Sequence, residues 1–496
     1  MSSLDPTSLK VVVVGAGFGG LGIGVALKNA GIHRFMILES GNDVGGVWRD
    51  NTYPGCTCDV PSHLYSFHFA PWSDPVIRYP EQRQILDYLR SVTDRFVLGQ
   101  HLQLNARVLA ATYSDGDGRW TIDTDDGRTY RAESLIWAVG QLHNPHLPDI
   151  AGRTGFTGPA FHSARWDHSA VLADREVAIV GTGSSAAQIV PHLARTARHV
   201  RVFQRSPAWV LPKPAPRFGP VTRAALARVP ALHPLYRAAL YQGTDLLLPS
   251  IMIGGWSARP ARWAAHAHLW CKVRDPQLRS RLTPRYRIGE KRIVLDNDFY
   301  PAMTRPNVEL VTTPIDHVTA GGITTVDGVH HSVDAIVWAT GFTASQFLAG
   351  ISVRGRGGME LAEQWADAAT AYMGLAVPGF PSMWLVAGPN SFTPAGSNPS
   401  LKAFQTRYII AGIHLSERLG APIEVSPEAM ARYQRWLRAA IARTVWPTGT
   451  HSWFKNSTGV VTNPWPLSSK AFDRATRTDP APAFIPVEAT AKSRVL

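Results

Sequence analysis

The sequence predicts an α/β protein made of two parallel-sheet units with a helical insertion, and three observations carry that prediction. Residues 10–15 (KVVVVG) form a β-branched run that opens into the turn GAGFGG and a small-residue helix. The same order of strand, glycine turn and helix begins again at Val177 (VAIVG, then GTGSSA). Between the strands of that second unit, residues 222–281 are rich in Ala, Leu and Arg and read as helices.

In chain order, the first strand (10–15) shows no polar alternation, as expected of a parallel strand buried on both faces. A helix at 21–30 follows, then a strand at 35–38 that ends on Glu39. Residues 120–122 and 135–139 read as the strands that complete this unit. In the second unit, VAIVG leads to a helix ending at Arg195 and a strand at 200–203. Residues 206–220 are rich in proline and read as a linker into the helices. Strand character returns at 293–295, 308–311 and 335–339, and 383–387 reads as a last buried strand before the turn GPN. The chain after Asp479 (DPAPAFIP) reads as a loose surface extension. The resulting division assigns 1–150 and 345–496 to the first unit and its C-terminal substrate-site region. Residues 151–212 and 289–344 form the second unit, and 213–288 the insertion.

Composition excludes several classes. With 45% hydrophobic and 18% charged residues, the 496-residue chain has ample core material and is too apolar for disorder. Three cysteines cannot build a disulfide scaffold and point to a reducing, cytoplasmic setting. The start, MSSLDPTSLKVVVVGAG, lacks the charged-then-apolar order of a signal peptide. The most apolar later stretch, 246–255, contains Pro249 and is too short to span a bilayer. Lys and Arg number 50 against 37 Asp and Glu, a formal net charge of +13 that suits anionic ligands. The arginines are scattered and no nucleic-acid-reading module is visible, so nucleic acid is not an expected partner. What remains is a soluble multi-domain enzyme.

The glycine turns specify the ligands. In GAGFGG, Gly15 permits the tight turn, Gly17 admits a pyrophosphate to the backbone, and Gly20 lets helix and strand pack closely. The helix N-terminus adds N–H donors and partial positive charge. Glu39, 24 residues after Gly15, is placed to hold a ribose hydroxyl pair. The second turn carries Gly181, Gly183 and Ala186, and the residue 24 positions after Gly181 is Arg205. A guanidinium there binds the 2′-phosphate that an acid would repel. The first unit therefore suits FAD and the second NADPH, a pair that implies hydride transfer from nicotinamide to flavin.

What receives the flavin's electrons follows by exclusion. Cys56 and Cys58 are one residue apart in a Pro/Gly-rich loop, the wrong spacing for a redox pair, and read as buried structure. His143 and His146 flank Pro145, and no Cys/His set has the spacing of a metal site, so no metal is expected. Oxygen or the substrate itself is left as electron acceptor.

Between the two glycine turns lies Phe156-Thr-Gly158-Pro-Ala-Phe-His162-Ser-Ala-Arg-Trp166-Asp167. This string resembles the signature of the type I Baeyer–Villiger monooxygenases, a class B flavin-dependent monooxygenase family. Related N- and S-oxygenating flavin monooxygenases usually end that signature with Tyr or Phe, so Trp166 and Asp167 favour the Baeyer–Villiger branch. The likeness extends through GGVWRDNTYPGCTCDVPSHLYSF (45–67), GEKRIVLDNDFYPAMTRPNVELV (289–311), WATGF (338–342) and VPGFPSMWLVAGPN (377–390), close to the whole chain.

The resemblance implies that NADPH reduces FAD, that O2 adds to give a C4a-peroxyflavin, and that this attacks a ketone to yield an ester or lactone. Arg292 matches the family's active-site arginine, a permanent cation suited to stabilising developing oxyanions without giving up a proton. Asp59 matches the acid that positions it and also counts among the cofactor-binding residues. Lys291 matches a residue that helps hold the NADPH phosphate, although Glu290 beside it is a departure that could draw it away. Gly46, Trp48 and Tyr53 fall in the segment expected to wrap the flavin, and Thr340 and Gly341 in WATGF are carried over as cofactor-binding positions. Phe156, Gly158, His162 and Trp166 are assigned a domain-coupling role. An N- or S-oxygenase using a hydroperoxyflavin is the alternative. Trp256, Trp263, Trp453 and Phe454 are expected walls of the ketone pocket, whose ligand the sequence does not name.

Overall fold

The structure, a computed structural model, describes residues 5–393, 395–449 and 451–488. The ends of the first-unit assignment, 1–4 and 489–496, lie outside the described residues. Strand Leu9–Val14 sits in an eight-stranded sheet between Phe35–Leu38 and Thr129–Trp137, parallel to both. Its residues alternate between two cores. Val11 and Val13 pack on one side with Leu21, Ile23 and Ile409, whereas Val12 and Val14 pack on the other with Trp120, Trp137 and Leu385. Both faces are covered, which is why residues 11–14 are apolar without alternation.

Helix Phe18–Asn29 covers the first face together with Asn398–Leu419. The sheet continues beyond Thr129–Trp137 as an antiparallel meander with Arg119–Thr124 and Val108–Ser114, whose Trp120 and Ile122 belong to the same core as Val12 and Val14. Strand Met383–Leu385 pairs with the C-terminal half of Thr129–Trp137, so a late segment returns to finish the sheet begun at the N-terminus.

The second sheet is wholly parallel, in the order Val308–Val311, His199–Phe203, Glu176–Val180, Ala335–Trp338 and Ala160–His162. Helix Ser184–Thr196 packs on one face, and a three-stranded antiparallel sheet running Ile315–Thr319, Gly322–Thr325 and His330–Ser332 contributes to the core on the other. The insertion comprises helices Pro220–Arg228, Leu232–Met252, Ala258–Lys272 and Pro276–Leu282. Its entry and exit are clasped by parallel pairing of Val210–Leu211 with Val294–Leu295.

One expectation is corrected. The segment after Asp479 is not loose: Phe484–Pro486 pairs antiparallel with Ile423–Val425, and Phe484 is buried against the rings of Trp384 and Tyr372. A short Pro/Ala-rich stretch reads as surface, but a single large aromatic residue anchors it. Among the described residues no helix is long and apolar enough to cross a membrane.

Candidate active site

Both glycine turns sit at the C-terminal ends of their first strands and open into one shared cavity of about 2270 Å³. That is more than twice the upper volume of a small-ligand pocket. Its lining includes Gly15, Gly17, Glu39, Gly46, Trp48, Tyr53 and Asp59 from the first unit. From the second it includes Gly181, Gly183, Arg205, Lys291, Arg292, Thr340 and Gly341.

The first turn has the shape a dinucleotide phosphate requires. Gly15 has φ +104°, and a Cβ there would lie 2.7 Å from the carbonyl oxygen of Ala138. A Cβ on Gly20 would lie 1.7 Å from the carbonyl oxygen of Gly15, so this residue acts by packing and does not line the cavity. Gly46, also at positive φ, brings its loop so close that a Cβ would stand 3.3 Å from Gly17 Cα. Glu39 is buried and fastens the turn: it accepts from Ala16 N–H at 2.7 Å and Gly41 N–H at 2.8 Å, and pairs with Arg49 at 2.7 Å. Burial works to lower the Arg49 pKa, but the carboxylates of Asp50 and Glu39 raise it overall.

The second turn repeats this shape. Gly181 has φ +118°, and a Cβ would meet the carbonyl oxygen of Ala339 at 2.4 Å. Ala186 is fully buried in the helix behind it. Arg205 is exposed to the cavity at the end of its strand. Beside it, the Lys291 ammonium donates to Ser206 Oγ at 2.7 Å and stands 4.9 Å from the centre of the Tyr286 ring. Burial and the neighbouring Arg205 charge lower the Lys291 pKa, against a smaller opposing effect of Glu290. The Glu290 carboxylate accepts from Arg287 N–H at 3.1 Å. Two cations side by side at a glycine turn form a donor set suited to a phosphate.

Arg292 and Asp59, 233 positions apart in sequence, meet at 2.6 Å across the boundary between the units. Arg292 keeps 36% of its side chain exposed and Asp59 22%, both toward the cavity. Burial alone would raise the Asp59 carboxyl; the charge and hydrogen bond of Arg292, with help from Lys213, hold it below its ordinary value. The Asp59 charge in turn raises the Arg292 pKa. Lys213 donates to the carbonyl of Cys58 at 2.9 Å and places a second cation behind the pair.

Tyr53 donates to Gln188 Oε1 at 3.1 Å, while Gln188 Nε2 donates to the carbonyl of Thr57 at 3.0 Å. This one amide ties the second unit's helix to the loop carrying Asp59. Trp48 donates to Tyr65 Oη at 3.0 Å. Cys56 and Cys58 are buried, and burial raises both thiols, Cys56 to about 11. A thiol so poorly ionised makes a poor nucleophile.

The four signature residues line no part of the cavity. A Cβ at Gly158 would lie 2.3 Å from the carbonyl oxygen of Asp334, so only glycine fits against that strand's approach. Strand Ala160–His162 then forms the sheet edge, pairing His162 with Trp338. Burial pushes the His162 imidazole down to about 4, leaving it neutral, and its ring meets Phe342 edge-on at 5.6 Å. Phe342 follows Thr340 and Gly341 directly, and Thr340 donates to the carbonyl of His146. Phe156 packs against the second unit's core, and Trp166 meets Phe161 edge-on at 5.1 Å.

Trp453 and Phe454 line the cavity, as expected. Trp256 and Trp263 do not, contrary to expectation: both lie on the outer surface of the insertion. Sequence reasoning missed Arg49, Lys213, Gln188 and Lys402. Lys402 is only 7% exposed, lines the cavity, donates to Asn398 Oδ1, and is driven by burial down to about 7. A lysine within a helix gives no sequence signal of this kind. Among the described residues no cluster of His, Cys, Asp and Glu is arranged to hold a metal.

Comparison with known proteins places the site in context. Residues 12–236 match the model of the pyridine nucleotide-disulphide oxidoreductase family. A Baeyer-Villiger monooxygenase of Streptomyces coelicolor is 38% identical over 472 residues, covering 95% of this chain and 91% of that one. The crystal structure of OTEMO in complex with FAD and NADP superposes with a TM-score of 0.86 at 26% identity, covering 97% of this chain and 99% of that one. A phenazine N-monooxygenase of Lysobacter antibioticus is 31% identical over 494 residues, covering 89% of each chain.

Proposed function

The chain belongs to the Baeyer–Villiger monooxygenases, and from that premise we propose that it inserts one atom of O2 beside a ketone carbonyl to give an ester or lactone. The balance is ketone, O2, NADPH and a proton going to ester, NADP+ and water. The observation that carries this reading is the Arg292–Asp59 pair facing the cavity into which both glycine turns open.

FAD is assigned to the turn of Gly15, Gly17 and Gly20, within 1–150 and 345–496. NADPH is assigned to the turn of Gly181, Gly183 and Ala186, within 151–212 and 289–344. The steric fit of both turns supports this: neither Gly15 nor Gly181 leaves room for a Cβ, and both hold positive φ. When bound, the two cofactors supply hydride transfer and activation of O2.

The chain's own residues do the rest. Glu39 faces the cavity where the adenosine ribose of FAD would be recognised. Arg205 and Lys291 bind the 2′-phosphate that distinguishes NADPH from NADH. Arg292 keeps a fixed positive charge where negative charge develops on oxygen, first on the oxygen to be transferred and then on the former carbonyl oxygen. It is a poor proton donor, so the attacking oxygen stays nucleophilic. Asp59 fixes the guanidinium's direction. His162 acts as a positioning residue, bracing Phe342 behind Thr340 and Gly341, and Trp166 supports the same edge strand through Phe161.

The test is product identification from the FAD-loaded enzyme with NADPH, O2 and a panel of cyclic, linear, aryl and steroid-like ketones. Ester or lactone with low hydrogen peroxide release is the expected result. N- or S-oxide from an amine or sulfide panel, with no ester from any ketone, would assign the alternative chemistry, for which the Lysobacter relative is the precedent.

A further inference from the structure

The helical insertion turns an unusual face outward. Residues 217–282 hold ten Lys and Arg but only two acids, Asp245 and Asp275. Asp245 is buried and accepts from Ser469 N–H at 2.7 Å, which leaves Asp275 as the one surface acid of this region. Three tryptophans lie open to solvent within a 15-residue stretch: Trp256 at 61%, Trp263 at 74% and Trp270 at 62%. Trp263 and Trp270 are seven residues apart on helix Ala258–Lys272, so they share one face. On helix Leu232–Met252 the exposed residues Leu235 and Leu246, with Ile253 at its end, are spaced by 11 and 7 and form a second apolar stripe.

Solvated indoles and leucines among arginines are not a cheap surface. Large apolar side chains left exposed on two helices that pack together mark an interaction site. None of the three tryptophans lines the cavity, so they serve no internal ligand. The combination of indole rings, aliphatic stripe and arginines is the composition of a helix that lies in a bilayer interface.

We propose that this face, built from helices Leu232–Met252 and Ala258–Lys272, docks on the surface of an anionic phospholipid membrane. Charge selects this occupant. A second copy of the chain, meeting the same face across a two-fold axis, would bring two basic surfaces together. An anionic headgroup layer neutralises them while the indoles and leucines enter the acyl boundary. The docked face lies on the membrane surface; among the described residues no helix is long and apolar enough to cross it. The opposite side of helix Leu232–Met252 presents Leu240, Thr244, Leu248 and Met252 to the cavity, so the docked face is one helix away from the site. The proposal stands independently of which compound is oxygenated.

The experiment is flotation of the FAD-loaded full chain with phosphatidylcholine vesicles and with vesicles containing phosphatidylglycerol as well. Binding to the anionic vesicles, weakened by salt and accompanied by a blue shift of tryptophan emission, is expected. Trp263→Ser with Trp270→Ser should weaken it at least tenfold, and Arg259→Glu with Arg262→Glu should weaken it similarly. The FAD absorbance spectrum and the rate of flavin reduction by NADPH report that each variant is folded. No flotation with anionic vesicles, or flotation indifferent to both double variants, would overturn the proposal. So would a dimer by ultracentrifugation that the tryptophan variants dissociate, since a second copy would then cover this face.

Discussion

Replacing Arg292 with glutamine separates the two roles that the Asp59 pair can play. The partners meet at 2.6 Å. Unit charges about 4 Å apart attract by about 4 kcal/mol at an effective dielectric near 20. Deleting one member of a buried pair costs about 3–5 kcal/mol because the other charge is stranded. Arg292 keeps 36% of its side chain open to the cavity, so solvent screening puts the cost near 3 kcal/mol. A fall of roughly 3 °C in the thermal midpoint is the corresponding signal for a chain of 496 residues. The Asp59 carboxyl is held below 3.8, so its contribution is present above that value and disappears as pH falls through the folded-state pKa. The gap between wild type and variant should therefore close in strong acid. Adding Asp59→Asn removes the stranded charge and should restore much of the midpoint at neutral pH. Ester formation should stay lost in both variants while flavin reduction by NADPH persists, with loss of an oxyanion partner costing about 3–4 kcal/mol of barrier. Stopped-flow reduction followed by product analysis reads both steps. Near-normal ester yield from either variant would refute the assignment of Arg292.

Three further outcomes test other parts of the structure. Arg205→Ala should raise the apparent KM for NADPH about 30-fold, the loss of roughly 2 kcal/mol of charge-assisted bonding, and leave NADH nearly unaffected; equal losses would remove the 2′-phosphate role. Lys402→Met should stabilise the cofactor-free protein at pH 6 by up to about 4 kcal/mol, because the folded state disfavours the charged amine below about 7. That advantage should fade between about 7 and the ordinary lysine value of 10.5, and a gain independent of pH in chemical denaturation would contradict it. Phe484→Ala should cost about 3–5 kcal/mol, measured by thermal unfolding, whereas a tail that merely rests on the surface would lose almost nothing.

The parts of this molecule legible in the sequence are those where one residue type answers a local backbone demand. Gly15 and Gly181 are readable because positive φ and a crowding carbonyl oxygen leave no room for a Cβ. Strand 9–14 is readable because burial on both faces removes alternation. Asp59 and Arg292 were found through matched motifs; no local rule announces that residues so distant in sequence meet. Lys402, Gln188 and Lys213 escaped for that reason: their significance lies in what surrounds them after folding. The tryptophans of the insertion show the opposite failure. An indole is commonly a wall or core residue, and only the packed structure reveals that Trp263 faces outward.

The clasp of Val210–Leu211 against Val294–Leu295 gives the helical insertion a single point of departure and return. Closing that gap with two ladder residues makes the length of the excursion a weak term, because loop length enters the closure entropy only logarithmically, while Leu269, Val273 and Leu282 seat its inner side in the second unit's core. The excursion can thus lengthen, shorten or exchange its outer surface over evolutionary time while the catalytic frame keeps its register. Transplanting it between relatives at these two junctions is the natural way to move a substrate range or a cellular address from one enzyme to another.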